Sequence, residues 1–248
     1  TQHEMKDYKA ALESYQHALQ IRLKLFGENH PDTATSYSNI GGTQQMMKNH
    51  NLALESKQKA LQIRLKLFGE DHPDTAQSYN NIGWTQLEMK NYKLALQAHE
   101  RACEIRRKLY GENHADTAES YRATGVIQRA MKNYKVALDR HEYVVQTMLK
   151  LHGEYHPDNA LSYWSLGITQ REMKDYEAAL VSHQHALNIT LKYFGEDHPD
   201  TAESYDHVGE TQSEMEDYTS ALESHQHALK LRLKLYGEDH PDTAKSYE

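Results

Sequence analysis

Between Thr33 and Lys48, the residues Ala34, Tyr37, Ile40, Gly41, Gln44 and Met47 recur three or four positions apart, the spacing that places side chains on one face of an α-helix. An earlier run, Tyr8, Ala11, Leu12, Tyr15, Ala18, Leu19, Leu23 and Phe26, has the same period and a wider apolar face. We term the first type helix A and the second helix B. Helix B opens at Tyr8, Tyr92, Tyr134, Tyr176 or Tyr218, with His50 in the remaining copy, and ends at a glycine able to adopt positive φ. Ahead of each helix A stands a His-Pro-Asp phrase that reads as a start signal. Pro31 fills an early position whose missing N–H costs nothing, and the Asp32 carboxylate suits the positive end of the helix dipole. Helix A closes at Lys48-Asn49 and its equivalents.

The pair recurs every 42 residues without an insertion, marked by Gly27, Gly69, Gly111, Gly153, Gly195 and Gly237. His-Pro-Asp-Thr-Ala is complete after His30, His72, His198 and His240; His114-Ala115 lacks the proline and Asp158-Asn159 the threonine. A fixed period of this length predicts an all-α solenoid, one array over residues 1–248: a partial repeat at 1–26, full repeats at 27–68, 69–110, 111–152, 153–194 and 195–236, and a partial repeat at 237–248. Both ends cut a unit, with Thr1–Lys6 reading as the close of a helix A and Tyr247-Glu248 as the start of another.

The period alone does not separate the helical repeat classes. The small residues do: a glycine inside helix A (Gly41, Gly83, Gly125, Gly167, Gly209) and two alanines in helix B permit close approach of the helices. The alanines are Ala11, Ala53, Ala95, Ala137, Ala179 and Ala221, then Ala18, Ala60, Ala102, Ala186 and Ala228, with Val144 in the second column. This pattern resembles the tetratricopeptide repeat in its longer form, found in kinesin light chains and in the repeat tails of nephrocystin-like and STAND-type signalling proteins, where the loop reads Gly-x-x-His-Pro. The resemblance implies a right-handed superhelix whose concave groove, lined by helix A, takes an extended peptide. Where the ordinary repeat has a tyrosine late in helix A, this chain has Gln44, Gln86, Gln128, Gln170 and Gln212.

Composition narrows the partners. The chain carries 28 basic and 36 acidic residues, net −8, with the signs interspersed, so no basic face is expected for nucleic acid. No apolar run approaches membrane-spanning length and no signal-like segment opens the sequence, so we expect no membrane partner and a cytoplasmic protein. The single cysteine, Cys103, stands in a column otherwise held by Leu19, Leu61, Leu187 and Leu229 and reads as a buried leucine substitute. The seventeen histidines outnumber the net charge, so their protonation reverses its sign.

Copies of the unit differ mainly along one stripe of helix A. Its columns are Thr35, Gln77, Glu119, Leu161 and Glu203; Ser38, Asn80, Arg122, Trp164 and Asp206; Gly42, Trp84, Val126, Ile168 and Glu210; and Gln45, Leu87, Arg129, Arg171 and Ser213. Drift on a solvated face is one reading. Apolar residues in neighbouring copies favour the other, a recognition surface. The resemblance adds Asn39 and Asn81, where light-chain repeats hold groove asparagines that bond a peptide main chain; Ala123, Ser165 and His207 break that ladder. Candidate groove residues are therefore Asn39, Asn80, Asn81, Trp84, Leu87, Arg122, Val126, Arg129, Leu161, Trp164, Ile168 and Arg171. The arginines beside the tryptophans suit an acidic ligand with an aromatic anchor, whereas Glu203, Asp206, Glu210 and Glu214 make the last pair acidic. Arg–Glu pairing between copies is the competing expectation.

Chemistry repeated in every copy argues against an enzyme, since an active site uses residues present once. We expect no catalytic residues, no cofactor and no metal. The pairs His183/His185 and His225/His227 point in different directions on a helix, and the recurrent Glu70-Asp71-His72-Asp74 cluster reads as loop closure. Lys57, Lys59 and Arg101 are expected on an exposed face of helix B. The main expectation is a non-enzymatic scaffold binding a protein or peptide; the alternative is a structural or engineered array that self-associates head-to-tail through uncapped ends.

Overall fold

The computed structural model describes residues 2–247, the side chains of residues 2–6 and Lys245 excepted. Among the described residues the chain is helical throughout, with no strand: α1 (Gln2–Phe26), α2 (Pro31–Met46), α3 (His50–Phe68), α4 (Pro73–Glu88), α5 (Tyr92–Tyr110), α6 (Ala115–Ala130), α7 (Tyr134–His152), α8 (Pro157–Glu172), α9 (Tyr176–Phe194), α10 (Pro199–Glu214), α11 (Tyr218–Tyr236) and α12 (Pro241–Lys245). From α2 onward the even helices are type A and the odd ones type B, with the starts that the sequence predicts. Two compact units result, Thr1–Ile127 and Gln128–Glu248. Within the first, α2 packs on α3 and α4 on α5; within the second, α8 packs on α9 and α10 on α11. No helix among the described residues is long and apolar enough to cross a membrane.

Each helix A is started by a histidine rather than by the usual serine or aspartate. Nδ1 of His30, His72, His114, His156, His198 and His240 accepts the N–H of the residue two positions on, at 3.1–3.3 Å. The ring also stacks on the last aromatic of the preceding helix, 4.0–4.5 Å between centroids for Phe26, Phe68, Tyr110, Phe194 and Tyr236. One imidazole thus joins a helix end to the next helix start, which explains why the cap survives at His114 without the proline. Thr33, Thr75, Thr117 and Thr201 donate to the carbonyls of Gly27, Gly69, Gly111 and Gly195 at 2.8–2.9 Å. Asn159 does the same to Gly153, so the copy lacking threonine keeps its latch.

The loop glycines sit at φ 75° to 86°, as expected from their place after helix B. The A-to-B turn has no glycine: Lys48, Lys90, Lys132, Lys174 and Glu216 hold φ 60° to 65°. The next residue's N–H returns to the carbonyl of Gln44, Gln86, Gln128, Gln170 or Gln212 at 2.9–3.0 Å, the bond that closes a helix through a left-handed residue. The glutamine side chains complete the corner, accepting from Ser56, Ser182 and Ser224 on helix B at 2.7–2.8 Å. That is the packing role this chain gives to the place of the ordinary tyrosine.

Two expectations are corrected. The segment before Tyr8 does not close a separate helix, because α1 runs unbroken from Gln2; Thr1 and the side chains of residues 2–6 lie outside the described residues, and with them the contacts expected of a head-to-tail end. Lys57 is not on an exposed face. It is 5% exposed, because Gly41 offers no Cβ and lets the lysine stem cross α2. Its Nζ then donates to Asn81 O at 3.2 Å and Thr85 Oγ1 at 2.7 Å, and burial holds its pKa down at about 8, against the raising influence of Glu88. Lys59 and Arg101 are exposed as expected.

The same device recurs with histidine. A Cβ on Gly83 or Gly167 would stand 2.4 Å from Cδ2 of His99 or His183, whose side chains are fully buried. His141 Nδ1 lies 2.9 Å from Thr169 Oγ1 and His183 Nδ1 2.8 Å from Thr211 Oγ1, each link 28 residues long and tying a helix B to the helix A of the next copy. Near the end of helix B, Arg22, Arg64 and Arg106 donate to Ser36, Ser78 and Ser120 at 2.7–2.9 Å. Alanines 53, 60, 95, 102, 179 and 186 are buried between the paired helices.

Candidate functional site

The variable stripe emerges on the parts of helix A that the helix pairs leave uncovered, but its members differ in access. In the first unit Asn39 is exposed, and Asn81, Trp84, Leu87, Arg122 and Val126 are half-buried. Asn80 is 8% exposed and its Oδ1 has no hydrogen-bond partner. The Asn81 amide oxygen accepts from Gln77 Nε2 at 2.9 Å, leaving its NH2 group for another acceptor. Trp84 packs edge-on against buried His99, centroids 5.0 Å apart, so the histidine that Gly83 admits also supports the indole.

In the second unit Leu161 is 39% exposed, while Trp164, Ile168, Arg129 and Arg171 are half-buried. Trp164 and Tyr163 lie on a small core of Ala160, Ala186 and Ile189. His207 is near both Trp164 and His183, with ring centroids 6.2 Å and 5.4 Å away. Two clefts of about 730 and 270 Å³ open beside α10; the first is bordered by Arg171, Glu210 and Glu214, the second by Glu203, Asp206, His207 and Arg232.

The charges on this face are already paired. Arg122 binds Glu119 through both Nε and Nη2, at 2.7 and 2.5 Å. Arg129 donates to Glu172 and Arg171 to Glu210, each pair linking consecutive A helices. His207, with Nδ1 3.5 Å away, and then Arg171 hold the Glu210 carboxyl down at about 2, against burial that would raise it. Asp206 pairs with Arg232. The competing expectation of Arg–Glu pairing is therefore realised, and the middle of the stripe is not a bare positive patch. Sequence reasoning missed the buried places of His99 and His183, which underlie the stripe rather than form it; the signal was Gly83 and Gly167, each sixteen residues ahead of its histidine in helix B.

Cys103 is buried, as its column of leucines implies. His183 is buried whereas His185 is exposed and stacks on Tyr163 at 4.9 Å, as their spacing requires.

Comparison with solved structures shows the same fold. BtubC (BKLC) from P. vanneervenii matches with a TM-score of 0.79 at 18% identity, covering 94% of each chain. The nearly identical TPR-like repeats of a putative kinesin light chain from Podosopora anserina match at 0.71 and 17% identity, over 84% of this chain and 98% of theirs. The apo form of RapI matches at 0.67 and 15%, over 94% of each chain. No curated protein matches the sequence. The Tetratricopeptide repeat profile matches residues 1–66, 44–108, 87–148 and 171–234, a scaffold fold consistent with protein–protein interaction and with no catalytic family indicated. With that repeat recognised along most of its length and the helix pairs formed as the repeat requires, the chain belongs to the tetratricopeptide repeat family.

Proposed function

We propose that this chain is one repeat array that captures an extended peptide segment along its A helices, in the cytoplasm, without catalysing a reaction. The observation that carries the reading is the set of apolar side chains left part-exposed on the A helices, Trp84, Leu87 and Val126 in one unit and Leu161, Trp164 and Ile168 in the other, on elements whose remaining faces are packed. Aromatic anchors of this kind dominate binding energy when a partner desolvates them. Because the helices are held by caps, latches and buried links before any ligand arrives, little ordering cost falls on the receptor. The Asn81 NH2 group and exposed Asn39 suit a peptide main chain.

The ligand's own anchor is an aromatic or aliphatic residue, and acidic residues beside it engage Arg129 and Arg171 only by competing with Glu172 and Glu210. Charge thus tunes selectivity more than strength. Fluorescence polarisation with a library of labelled acidic-aromatic peptides tests both parts. Trp84→Ala and Trp164→Ala should each weaken capture at least tenfold, and Arg122→Glu/Arg129→Glu should shift preference toward basic flanks. Peptide binding unchanged by either tryptophan substitution refutes the groove; loss there with no change of charge preference refutes only the acidic flank.

A further inference from the structure

Five of the six loop histidines stack on a phenylalanine or tyrosine; the fourth, His156, lies instead against His152, the last residue of α7, with ring centroids 4.2 Å apart. The cap at His156, like that at His240 with φ −101°, departs from those at His30, His72 and His198. His156 Nδ1 is 3.5 Å from the Asp158 carboxylate, whereas the corresponding pairs at His30, His114, His198 and His240 stand 3.8–3.9 Å apart. Its φ is −91°, against −132° to −137° at His30, His72 and His198. Ligand atoms of His152, His156 and Asp158 all lie within 4.8 Å of one another.

We propose that His152, His156 and Asp158 form a binding site for a divalent transition ion of the zinc type. The donor set, two imidazoles and one carboxylate, is one that such ions favour over calcium or magnesium, which prefer oxygen alone. Two donors each about 2.0–2.1 Å from a tetrahedral ion stand about 3.3 Å apart. The His156–Asp158 pair is nearly at that separation already. His152 is exposed and closes the remaining distance by rotating its side chain, and water completes the shell.

The histidines are four residues apart in sequence and straddle the Gly153 turn, so each imidazole reaches the ion from a different helix end. That distinguishes them from His183/His185, whose side chains diverge. The ion would lie between the negative C-terminal end of α7 and the positive N-terminal end of α8, so the two dipoles offset and the donors decide affinity. It takes the Nδ1 lone pair that now accepts the Asp158 N–H, exchanging a helix cap for a coordinate bond that staples one helix pair to the next. No other described cluster brings three such donors together.

Isothermal titration of the chain with ZnCl2 in a non-coordinating buffer, repeated on His152→Phe and His156→Asn, tests the site. Phe26, Phe68 and Phe194 stand at the position of His152 in other copies, so His152→Phe keeps a ring there, and asparagine is itself a good helix cap, so His156→Asn keeps the cap while losing the ring contact. The expected result is a single tight class of site in the parent chain, weakened at least tenfold in both variants, with Zn2+ raising the melting temperature of the parent alone. If His152→Phe alters the far-UV circular dichroism, Asp158→Asn serves in its place. Superimposable isotherms for parent and variants, reporting only adventitious binding by surface imidazoles, overturn the proposal.

Discussion

Two fully buried histidines give the fold an acid limit that can be calculated. Burial, reinforced by Arg106 and Arg122, lowers the pKa of His99 from 6.5 to about 4. Burial, reinforced by His207 and Arg171 and opposed by Glu210, lowers that of His183 to about 3. Between 6.5 and these values the unfolded chain binds a proton at each site that the folded chain refuses, so stability falls as pH falls. It is fully present above 6.5 and the loss is complete only below the folded values. Each histidine costs about 1.4 kcal/mol per pH unit within that window, so the pair removes about 4 kcal/mol between pH 6.5 and 5. Against the 5–15 kcal/mol or so typical of a folded domain, that is a large share.

Urea unfolding followed by circular dichroism from pH 7.5 to 4.5 at constant ionic strength measures the effect, with His99→Gln/His183→Gln as the reference. The substitutions change the intercept for many reasons, but only the histidine protons change the slope. The parent chain should lose stability more steeply than the reference by about 3 kcal/mol per pH unit between pH 6 and 5. Parallel plots would show that these imidazoles take up protons as readily folded as unfolded, and the burial argument would fail.

Gly167→Ala places a methyl group 2.4 Å from the His183 ring, and since that ring is enclosed the variant should lose about 1–3 kcal/mol in the same unfolding assay. Lys90→Gly relieves a side chain held at φ 60° and should instead raise the urea midpoint, with a gain of about 1 kcal/mol.

Helix order and helix ends were legible because they depend on local chemistry that the repeat states over and over: an acidic first turn and a glycine stop in six copies and a proline at the helix start in five. The turn at Lys48 was legible as a position but not as a left-handed lysine, since nothing in that residue's chemistry favours positive φ. The reading of polarity as exposure held at Lys59 and Arg101 and failed at Lys57. Lys57 and His99 look solvated in sequence and are buried because Gly41 and Gly83 make room for them, a relation between two helices that one helix's periodicity does not contain. Asn80 shares a column with Arg122 and Trp164 yet is nearly covered, because the spacing of columns specifies a direction on the helix and not what the neighbouring helix places there. Pairs such as Arg129–Glu172 and Arg171–Glu210, 43 and 39 residues apart, depend on how far a long side chain reaches across copies.

The buried polar links are interrupted at His99. Lys57 meets Thr85, His141 meets Thr169 and His183 meets Thr211, but the residue at the corresponding place for His99 is Ile127, and both His99 ring nitrogens lack a hydrogen-bond partner. An unpaired buried group costs about 1–3 kcal/mol, while Ile127 is fully buried and recovers part of that through its extra apolar surface. Ile127→Thr therefore trades two comparable quantities, and its own effect on stability should be small. The informative quantity is the coupling: in a double-mutant cycle with His99→Leu, the threonine should be worth about 1 kcal/mol more when the histidine is present. Additive effects would mean that the hydroxyl and the imidazole do not meet, and that the regular spacing of the polar column does not hold at His99.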